Sequence, residues 1–578
     1  MKKRNALLVL WISVCVLSLN SFAQPKGGTQ KIKSSLTREY IYPTRIVWQK
    51  GEIAHAGKLL EKGIGQASLN NSNIIILKNK GTDTASILLD FGKELHGSLE
   101  IITGMWPAPN NARTIRVRFG ESVSETMAEL GEHGSTNDHA IRDFKLMLPW
   151  LGKAQTGESG FRFVRIDLLD KDAVLQLKEV RAVSTNRDIP YLGSFKSSDE
   201  RLNKIWQTGA YTVHLNMQDY LWDGIKRDRL VWVGDLHPEV STVNTVFGYN
   251  EVVPKSLDLA RNTTPLPGWM SGISTYSMWW IILHYDWYMH HGDLNYLKEQ
   301  KDYLQSLLKQ IVGKVQNGKE KMDGNRFLDW PSSKDTIAIH AGLQAMTIWS
   351  LEKGAELCLV MGEEATARLC KETVSKLRTV VPPHNNSKQA AALLSITGML
   401  NPQTAFEEVL SVGGAKNFST FYGYYMLEAM AKAGKYQEAM DIISTYWGAM
   451  LDLGATTFWE DFNMDWLQNA GRIDEMTLPG KVDIHAAYGD YCYVGHRHSF
   501  CHGWASGPTV WLSQHVLGIQ LAGPGGTTFR VSPNLGNLSF AEGTYPTSLG
   551  TIYVKHTKDR KGKVVSIVKA PKGIRIVK

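Results

Sequence analysis

Acidic, basic and indole side chains are concentrated between residues 219 and 239. The carboxylates of this stretch are Asp219, Asp223, Asp228, Asp235 and Glu239, and Arg227 and Trp232 lie among them. Their intervals fit no helical stripe, and Gly224 and Gly234 interrupt regular structure because glycine costs about 1 kcal/mol in a helix interior. The stretch therefore predicts a loop between helices that directs several carboxylates into one cleft. A loop whose Asp residues only neutralise neighbouring Lys and Arg side chains is the alternative.

A second acidic stretch lies more than 200 residues further along the chain. It reads GATTFWED over residues 454–461, where Trp459 precedes Glu460 and Asp461. Hydrolysis of a glycosidic bond needs two carboxyl groups: one holds a proton for the leaving oxygen, and the other activates water or attacks directly. Two acidic loops that face each other supply such a pair, with Glu460 on one side. An ion-paired or helix-capping carboxylate is the alternative for Glu460.

Several other loop residues are candidates for contact with a sugar. Trp269 and Trp330 lie in loop sequence, and an indole face can stack on the apolar face of a sugar. Asp329 either hydrogen-bonds a sugar hydroxyl or caps a turn. Among the histidines at 496–502, His502 is best placed to line a pocket, and no carboxylate arrangement completes a metal site there. We expect no cofactor, and the sequence does not decide whether a structural calcium ion is bound.

The periodicity of the apolar residues divides the chain into three parts. Short alternating runs predict an N-terminal, jelly-roll-like β-sandwich at residues 24–194, and similar runs predict a small C-terminal β-sandwich at 521–578. Between them, a spacing of about 3.6 residues predicts some dozen helices, arranged as an (α/α)6 toroid of six hairpins at 195–520. A helical repeat array is the alternative, although no fixed period supports it. The polar segment 121–139 predicts a long exposed loop.

Length, charge and the N-terminus limit the class of protein. A chain of 578 residues is longer than one hydrophobic core usually serves, so we expect several domains. A net charge of +8, without basic runs interleaved with aromatics, argues against a nucleic-acid partner. Residues 1–23 have the basic start, apolar core and small-residue end of a signal peptide, so we expect a periplasmic or secreted protein without a membrane span. Cys358 and Cys370 are expected to be buried thiols. The sequence does not decide whether Cys492 and Cys501 form a disulfide.

The acidic stretches resemble the motifs of a known family. DGIKRDRLVWVGD at 223–235 is similar to DCPQRERLGWTGD, the signature of bacterial α-L-rhamnosidases of glycoside hydrolase family 78. GATTFWE at 454–460 is similar to the GATTxWE motif of the same family. Residues 529–535 and 542–544 resemble the segment that opens the C-terminal β-domain of that family. The resemblance covers about two thirds of the chain, namely the helical part and the C-terminal domain.

The resemblance implies an inverting, exo-acting hydrolase that removes terminal α-L-rhamnose from polysaccharide fragments or glycosides. The general acid of the family falls at Asp228 and its general base at Glu460. Asp223 and Asp235 are implied to bind rhamnose hydroxyls, and we expect contacts from Arg227, Trp232, Glu239 and Trp459 as well. The family has Glu at the acid position, whereas this chain has Asp, which is one methylene shorter. Glu239 is therefore kept as a substitute proton donor.

Other functions are compatible with the same residues. A barrel of this kind can act on a different sugar, because one fold hosts many activities. A polysaccharide lyase needs a Tyr, His or Lys base near a uronate, and the paired carboxylates argue against it. A carbohydrate-binding protein whose catalytic pair has decayed is the third hypothesis, and Asp228 is the residue that supports it.

Overall fold

The computed structural model describes residues 35–577, apart from residues 71, 73, 108–110 and 491–493. The predicted signal peptide and Cys492 of the cysteine pair lie outside the described residues. Cys358 and Cys370 are buried free thiols, as predicted, and Cys501 is buried too. Within the described part of the chain, no helix is long and apolar enough to cross a membrane.

The N-terminal part forms an antiparallel sheet of ten strands, which confirms the predicted β-rich region. The strands are β1 (Leu36–Ile41), β2 (Arg45–Lys50), β3 (Glu52–Ala54), β4 (Ile75–Lys78), β5 (Ser86–Thr103), β6 (Arg113–Gly120), β7 (Asp143–Leu148), β8 (Lys153–Gln155), β9 (Ser159–Leu168) and β10 (Val174–Arg187). Their central order is β3-β4-β10-β5-β9-β6-β7, while β1 pairs with β10 and both β2 and β8 pair with β5. Apolar side chains of β5, β6 and β9 form one buried cluster.

Residues 121–139 are not the long exposed loop that their polar composition predicts. Ser122 begins a short helix, α1 (Val123–Met127), by accepting the N–H of Glu125. The Glu125 carboxylate in turn accepts the N–H of Glu121, and all three residues are buried. The prediction was wrong because a Ser-x-x-Glu capping pattern outweighs polar composition as a local signal. The longest exposed run in this segment is residues 129–133, and residues 138 and 139 are exposed as well.

The middle of the chain is helical, as its periodicity predicts. The helices are α2 (Glu200–Asn216), α3 (Leu236–Val246), α4 (Val252–Asn262), α5 (Ser274–His291), α6 (Leu294–Glu299), α7 (Lys301–Gly313), α8 (Thr336–Val360), α9 (Glu364–Leu377), α10 (Lys388–Ile396), α11 (Pro402–Ala405), α12 (Gly423–Lys432), α13 (Tyr436–Asp452), α14 (Ile484–Ala487) and α15 (Gly507–Trp511). Asp199 caps α2 by accepting the N–H groups of Arg201 and Leu202.

Six of these helices contact one another in a closed series. Helix α3 packs on α5, α5 on α8, α8 on α10, α10 on α12, α12 on α15, and α15 on α3 again. Helices α5 and α8 are buried around most of their circumference, which is typical of helices inside a larger assembly. Helices α9 and α13 pack against α8 and α2, respectively. We call the six helices of the closed series the ring helices.

The C-terminal part consists of two small sheets. Strands β16 (Phe540–Thr547), β17 (Gly550–Lys558) and β18 (Val564–Lys569) form one sheet with β11 (Ser194–Ser197), which directly precedes α2. Strands β14 (Ile519–Leu521), β15 (Thr528–Val531) and β19 (Arg575–Val577) form the other, and a short hairpin of β12 (Val315–Gln316) and β13 (Lys319–Glu320) lies between α7 and α8. The pairing of β11 with β16 ties the terminal sheet to the start of the helical part.

Candidate active site

Backbone hydrogen bonds bring the two predicted acidic stretches together with a third segment. The segments are 223–235, 454–461 and 496–504. The N–H of Glu460 donates to the carbonyl of Ser499 (3.0 Å), and the N–H of His502 donates to the carbonyl of Phe458 (2.9 Å). Gly224 pairs with His502 on the other side. The three segments therefore lie side by side, so the two predicted acidic loops are adjacent.

Arg227 joins the two carboxylates that the resemblance places in catalytic roles. Its Nη1 donates to Oδ1 of Asp228 at 2.8 Å, and its Nη2 lies 2.6 Å from both carboxylate oxygens of Glu460. The Nε of the same guanidinium donates to the carbonyl of Arg497 (3.0 Å), which fixes the plane of the fork. Charge-assisted bonds of this kind are about twice as strong as neutral ones.

Glu460 is held in its ionised form. Burial raises the pKa of its carboxyl, but the positive charges of Arg227 and His502 outweigh burial and lower that pKa to about 2. The N–H of Ser499 also donates to Oε2 of Glu460 at 3.3 Å. A carboxylate that stays deprotonated near neutral pH can accept a proton from water, as a general base must. The ion-paired role considered for Glu460 is thus also present.

Asp228 lies in a strained turn at the edge of this cluster. Asp228 and Arg229 both have left-handed backbones, with φ of 55° and 57°, and such conformations cost about 1–3 kcal/mol each for non-glycine residues. The indole N–H of Trp232 donates to Oδ2 of Asp228 at 3.1 Å, and Nε2 of His139 lies 3.4 Å from Oδ1. The side chain of Asp228 is 17% exposed, against 2% for Glu460. Asp228 is therefore the more accessible of the two carboxylates.

His502 lies between the base candidate and a third carboxylate. Its Nε2 is 2.9 Å from Oδ1 of Asp235, and its Nδ1 is 3.8 Å from Oε1 of Glu460. Burial lowers the pKa of the imidazole, but the charges of Glu460 and Asp235 outweigh burial and raise it to about 9. His502 thus carries a positive charge at neutral pH, and its distances place it within the carboxylate cluster.

Two further carboxyls of the first stretch, Asp223 and Glu239, are shifted towards the protonated form. Burial, together with the charges of neighbouring carboxylates, raises the pKa of Asp223 and of Glu239 well above the usual range. Glu239 is fully buried, and a Cβ on Gly503 would come within 1.7 Å of its Oε1. Only glycine at 503 leaves room for this carboxyl. Burial also raises the pKa of the Asp235 carboxyl, although His502 opposes this shift.

The predicted tryptophans have different surroundings. Trp232 is half-buried and packs edge-on against Tyr276. The hydroxyl of Tyr276 lies 3.5 Å from Asp235. Trp459 is 1% exposed and stacks on Phe500 with ring centroids 4.2 Å apart. A ring packed in this way holds the backbone behind Glu460, so the expected sugar contact of Trp459 is corrected to a packing role.

Trp269 and Trp330 lie in loops, as predicted, and both are half-buried. The indole N–H of Trp269 donates to Asp323 at 2.8 Å. Trp330 packs edge-on against Phe327 at 5.0 Å, and Phe327 contacts Tyr276 of the cluster. Sugar contact by these two residues stays a prediction.

Asp329 is used as a structural acceptor. Its Oδ1 accepts the hydroxyl and the N–H of Ser332, while its Oδ2 accepts Gln389 at 3.0 Å and Ser419 at 2.8 Å. The turn-capping alternative for Asp329 is therefore observed. Burial raises the pKa of this carboxyl.

Lys226 is a buried site residue that sequence reasoning missed. Its Nζ donates to the carbonyls of His498 (2.6 Å) and His496 (3.0 Å) and lies 2.9 Å from the Glu121 carboxylate. Glu121 also accepts the N–H of Phe500 at 2.6 Å. The sheet domain therefore helps to hold the segment that carries Ser499 and His502. The capping pattern at 122–125 is the one sequence signal that pointed to burial here.

The site lies at the N-terminal ends of the ring helices. Contacts between the preceding loops run from Asp235 to Tyr276, from Thr275 to Phe327, from Asp329 to Ser419, and from Phe421 to Trp504. His502 then returns to Asp235. Helix N-termini carry partial positive charge, which favours carboxylates in the ionised form.

No metal site accompanies this arrangement in the part of the chain that the structure describes. No group of three or more His, Cys, Asp or Glu side chains there is placed to hold a metal ion. The histidines at 496–502 serve other purposes: burial lowers the pKa of His498 to about 3, and its ring accepts the N–H of Asp461.

Residues 190–393 match the family model described as the bacterial α-L-rhamnosidase six-hairpin glycosidase domain. This stretch is similar to that domain. The resemblance predicted from the motifs is confirmed, although the rhamnosidase model covers only the first two thirds of the helical part. The loop with Asp223 and Asp228 lies inside this rhamnosidase-family domain, whereas Glu460 lies beyond the matched residues.

Known rhamnosidases resemble the chain over most of its length. An α-L-rhamnosidase of Alteromonas sp. (strain LOR) is 23% identical over 551 residues, which cover 86% of this chain and 56% of the relative. The family 78 rhamnosidase of Bacillus sp. GL1 has a TM-score of 0.70 at 21% identity, over 87% of this chain and 54% of that structure. A rhamnosidase from Klebsiella oxytoca with rhamnose bound has a TM-score of 0.64 at 18% identity, over 83% of this chain and 96% of that structure. The chain thus spans little more than half the length of the first two relatives.

Proposed function

We propose that the protein is a glycoside hydrolase that removes terminal α-L-rhamnose with inversion of configuration. One observation carries the proposal: the guanidinium of Arg227 holds the carboxylates at the acid and base positions of the family motifs in one cluster. It lies 2.8 Å from Asp228 and 2.6 Å from Glu460, and together with His502 it lowers the pKa of Glu460 to about 2. Hydrolysis of a glycosidic bond needs such a pair of carboxyl groups.

In this mechanism, Glu460 takes a proton from a water molecule as that water attacks the anomeric carbon. The bond between that carbon and the glycosidic oxygen breaks, and Asp228 donates a proton to the leaving oxygen. Arg227 lies between the two carboxylates and keeps them from direct contact. In inverting enzymes the two carboxyls stand about 6.5–9.5 Å apart, which leaves room for the attacking water. Asp223 and Asp235 are proposed to bind sugar hydroxyls.

Glu239 is the alternative proton donor. Burial raises its pKa well above the usual range, which favours the protonated form, but the side chain is fully buried behind Gly503. A general acid must reach the leaving oxygen directly or through one water. The greater exposure of Asp228 therefore supports Asp228 as the donor, and the exo mode of action is proposed from the family alone.

The proposal includes the architecture and the location. The closed series of ring helices supports a six-hairpin toroid, and the ten-stranded antiparallel sheet supports a jelly-roll-like N-terminal sandwich. The basic and apolar N-terminus supports export to the periplasm or the medium. Mass spectrometry of the exported protein should give an N-terminus at Gln24; retention of residues 1–23 in the exported protein contradicts the predicted cleavage.

A panel of aryl glycosides tests the activity and the sugar together. We expect the wild-type protein to hydrolyse an aryl α-L-rhamnoside at least a hundredfold faster than the corresponding fucoside, glucoside or arabinoside, and NMR to show β-L-rhamnose as the first product. Turnover of another glycoside alone identifies a different sugar. Binding of rhamnose without any turnover supports the decayed, carbohydrate-binding alternative.

A further inference from the structure

The carboxylate of Asp228 is contacted by a histidine of the N-terminal sheet domain. Nε2 of His139 lies 3.4 Å from Oδ1 of Asp228, and the side chain of His139 is 30% exposed. His139 belongs to the connection between β6 and β7, whereas Asp228 belongs to the helical part of the chain. The proton donor of the proposed mechanism therefore has a partner that lies outside both acidic motifs.

The loop that presents His139 is closed by hydrogen bonds of its own. The side chain of Asn137 accepts the N–H groups of Arg142 and Asp143, both at 3.1 Å, and donates to the carbonyl of Asp143 at 2.8 Å. Arg142 is buried, and its guanidinium donates to the carbonyl of Glu125 in α1 at 2.7 Å. A side chain on a loop that is anchored in this way is held in one place relative to the sheet.

The same loop is joined to Asp228 by a second route. Asp138 forms an ion pair with Arg497, and Nη2 of Arg497 lies 3.5 Å from Nε2 of His139. The carbonyl of Arg497 accepts Nε of Arg227 at 3.0 Å, and Nη1 of Arg227 donates to Oδ1 of Asp228 at 2.8 Å. These contacts form a closed circuit with the contact of His139 to Asp228. The position of the Asp228 carboxylate is therefore fixed from two sides.

His139 also limits the length of the acidic side chain at 228. A glutamate there would carry its carboxyl about 1.5 Å further from the backbone, the length of one C–C bond. Only 3.4 Å separates Oδ1 of Asp228 from the imidazole, and N···O contacts shorter than about 2.7 Å are unfavourable. The ring of His139 therefore leaves no room for a glutamate that points in the same direction. An aspartate fits this space.

We propose that His139 is a positioning residue for the proton donor: it fixes the carboxyl of Asp228 and matches the site to an aspartate. The inference rests on the proposed function, in which Asp228 protonates the leaving oxygen. It makes the N-terminal sheet domain a working part of the active site. It also explains the aspartate at 228 as one half of a matched pair, which argues against decay of the catalytic residues.

The variant His139→Gly tests the positioning role. His139 and His55 both have left-handed backbones, with φ of 60° and 59°, which glycine adopts without strain. His55 is exposed and lies between β3 and β4, at the opposite end of the sheet from β6 and β7, so His55→Gly is the matched control. The turnover number kcat is measured on methyl α-L-rhamnoside, whose leaving group needs a proton, and on dinitrophenyl α-L-rhamnoside, whose leaving group does not.

We expect kcat on the methyl rhamnoside to fall about ten- to a hundredfold in His139→Gly, because a displacement of about 1 Å can cost ~10²-fold. On the dinitrophenyl rhamnoside kcat should change less than about threefold, since general acid catalysis contributes little there. This second value also shows that the variant is folded. His55→Gly should keep both wild-type values. An equal fall on the two substrates, or no fall on either, overturns the positioning role.

A glutamate at 228 tests the match between the two side chains. Asp228→Glu should lower kcat on the methyl rhamnoside by at least about tenfold, because His139 displaces the longer carboxyl. Adding His139→Gly should then raise kcat severalfold above that of Asp228→Glu, although the same substitution lowers kcat in the wild-type background. Such a reversal of sign is a direct coupling between the two positions. Wild-type activity of Asp228→Glu, or a double variant no more active than Asp228→Glu, contradicts the match.

Failure of the inference differs from failure of the proposed function. If the wild-type protein hydrolyses both rhamnosides and His139→Gly keeps both values of kcat, His139 does not position the acid and the proposed function stands. A wild-type protein that hydrolyses neither rhamnoside overturns the proposed function and the inference together.

Discussion

Arg227 contacts two carboxylates through one guanidinium. The fork contacts Asp228 through Nη1 and Glu460 through Nη2, and its own orientation is fixed by the carbonyl of Arg497. A lysine at 227 could not reproduce these parallel bonds, because an ammonium is a point charge without a planar fork. The residue next to the acid candidate is therefore the one that keeps the base ionised.

The choice between Asp228 and Glu239 as proton donor is decided by the leaving group. Asp228→Asn should lower kcat/KM for an alkyl or sugar rhamnoside by about 10²–10⁴-fold, the usual contribution of general acid catalysis. A dinitrophenyl rhamnoside should be affected far less, since its phenolate leaves without a proton. Glu239→Gln should affect both substrates alike. A dependence on the leaving group that appears in the Glu239 variant moves the acid role to Glu239.

Deprotonation of His502 should lower the stability of the protein at alkaline pH. Its pKa in the folded protein, about 9, lies above the 6.5 of the free side chain. The stabilisation from its pairing with Asp235 and Glu460 is therefore complete below pH 6.5 and is lost as the pH rises through about 9. Each pKa unit corresponds to about 1.4 kcal/mol. Urea unfolding at pH 6 and at pH 10 should show a smaller difference between wild type and His502→Gln at pH 10; an equal difference contradicts a charged His502.

At the scale of elements, the sequence predicts regular structure well and the loops poorly. The bounds of α5 and α13, Ser274–His291 and Tyr436–Asp452, agree with the spacing of their apolar residues because each helix packs into one continuous core. The left-handed turn at Asp228 has no local sequence signal. Neither glycine nor asparagine is present at 228 and 229, and the carboxylate of Asp228 contacts His139 of a distant segment.

Lys226 gives a test of how the segments are held together. Lys226→Met should leave Glu121 as a buried carboxylate without its cation, and breaking such a pair costs about 3–5 kcal/mol. The double variant Lys226→Met with Glu121→Gln should recover part of this loss, because it removes the uncompensated charge. Urea unfolding at pH 7 measures both changes. A double variant no more stable than Lys226→Met alone excludes the pairing as the cause.

At the scale of the whole molecule, the site is assembled from parts of the chain that are far apart. The bond between Glu121 and Phe500 joins residues 379 positions apart, and that between Arg227 and Glu460 spans 233. The two motifs predict which carboxylates belong to the site, since each motif is local. The contribution of the N-terminal sheet could not be predicted, because no property of a single segment encodes its distant partner.

The turnover number of Glu460→Gln tests the central claim most directly. Glutamine keeps the size of the side chain but cannot accept the proton of water, so kcat on an aryl α-L-rhamnoside should fall about 10²–10⁴-fold while the Kd for rhamnose changes little. Glu438→Gln, at an exposed position of α13, is the matched control and should keep wild-type kcat. A fall in kcat of less than tenfold for Glu460→Gln would contradict its role as the general base.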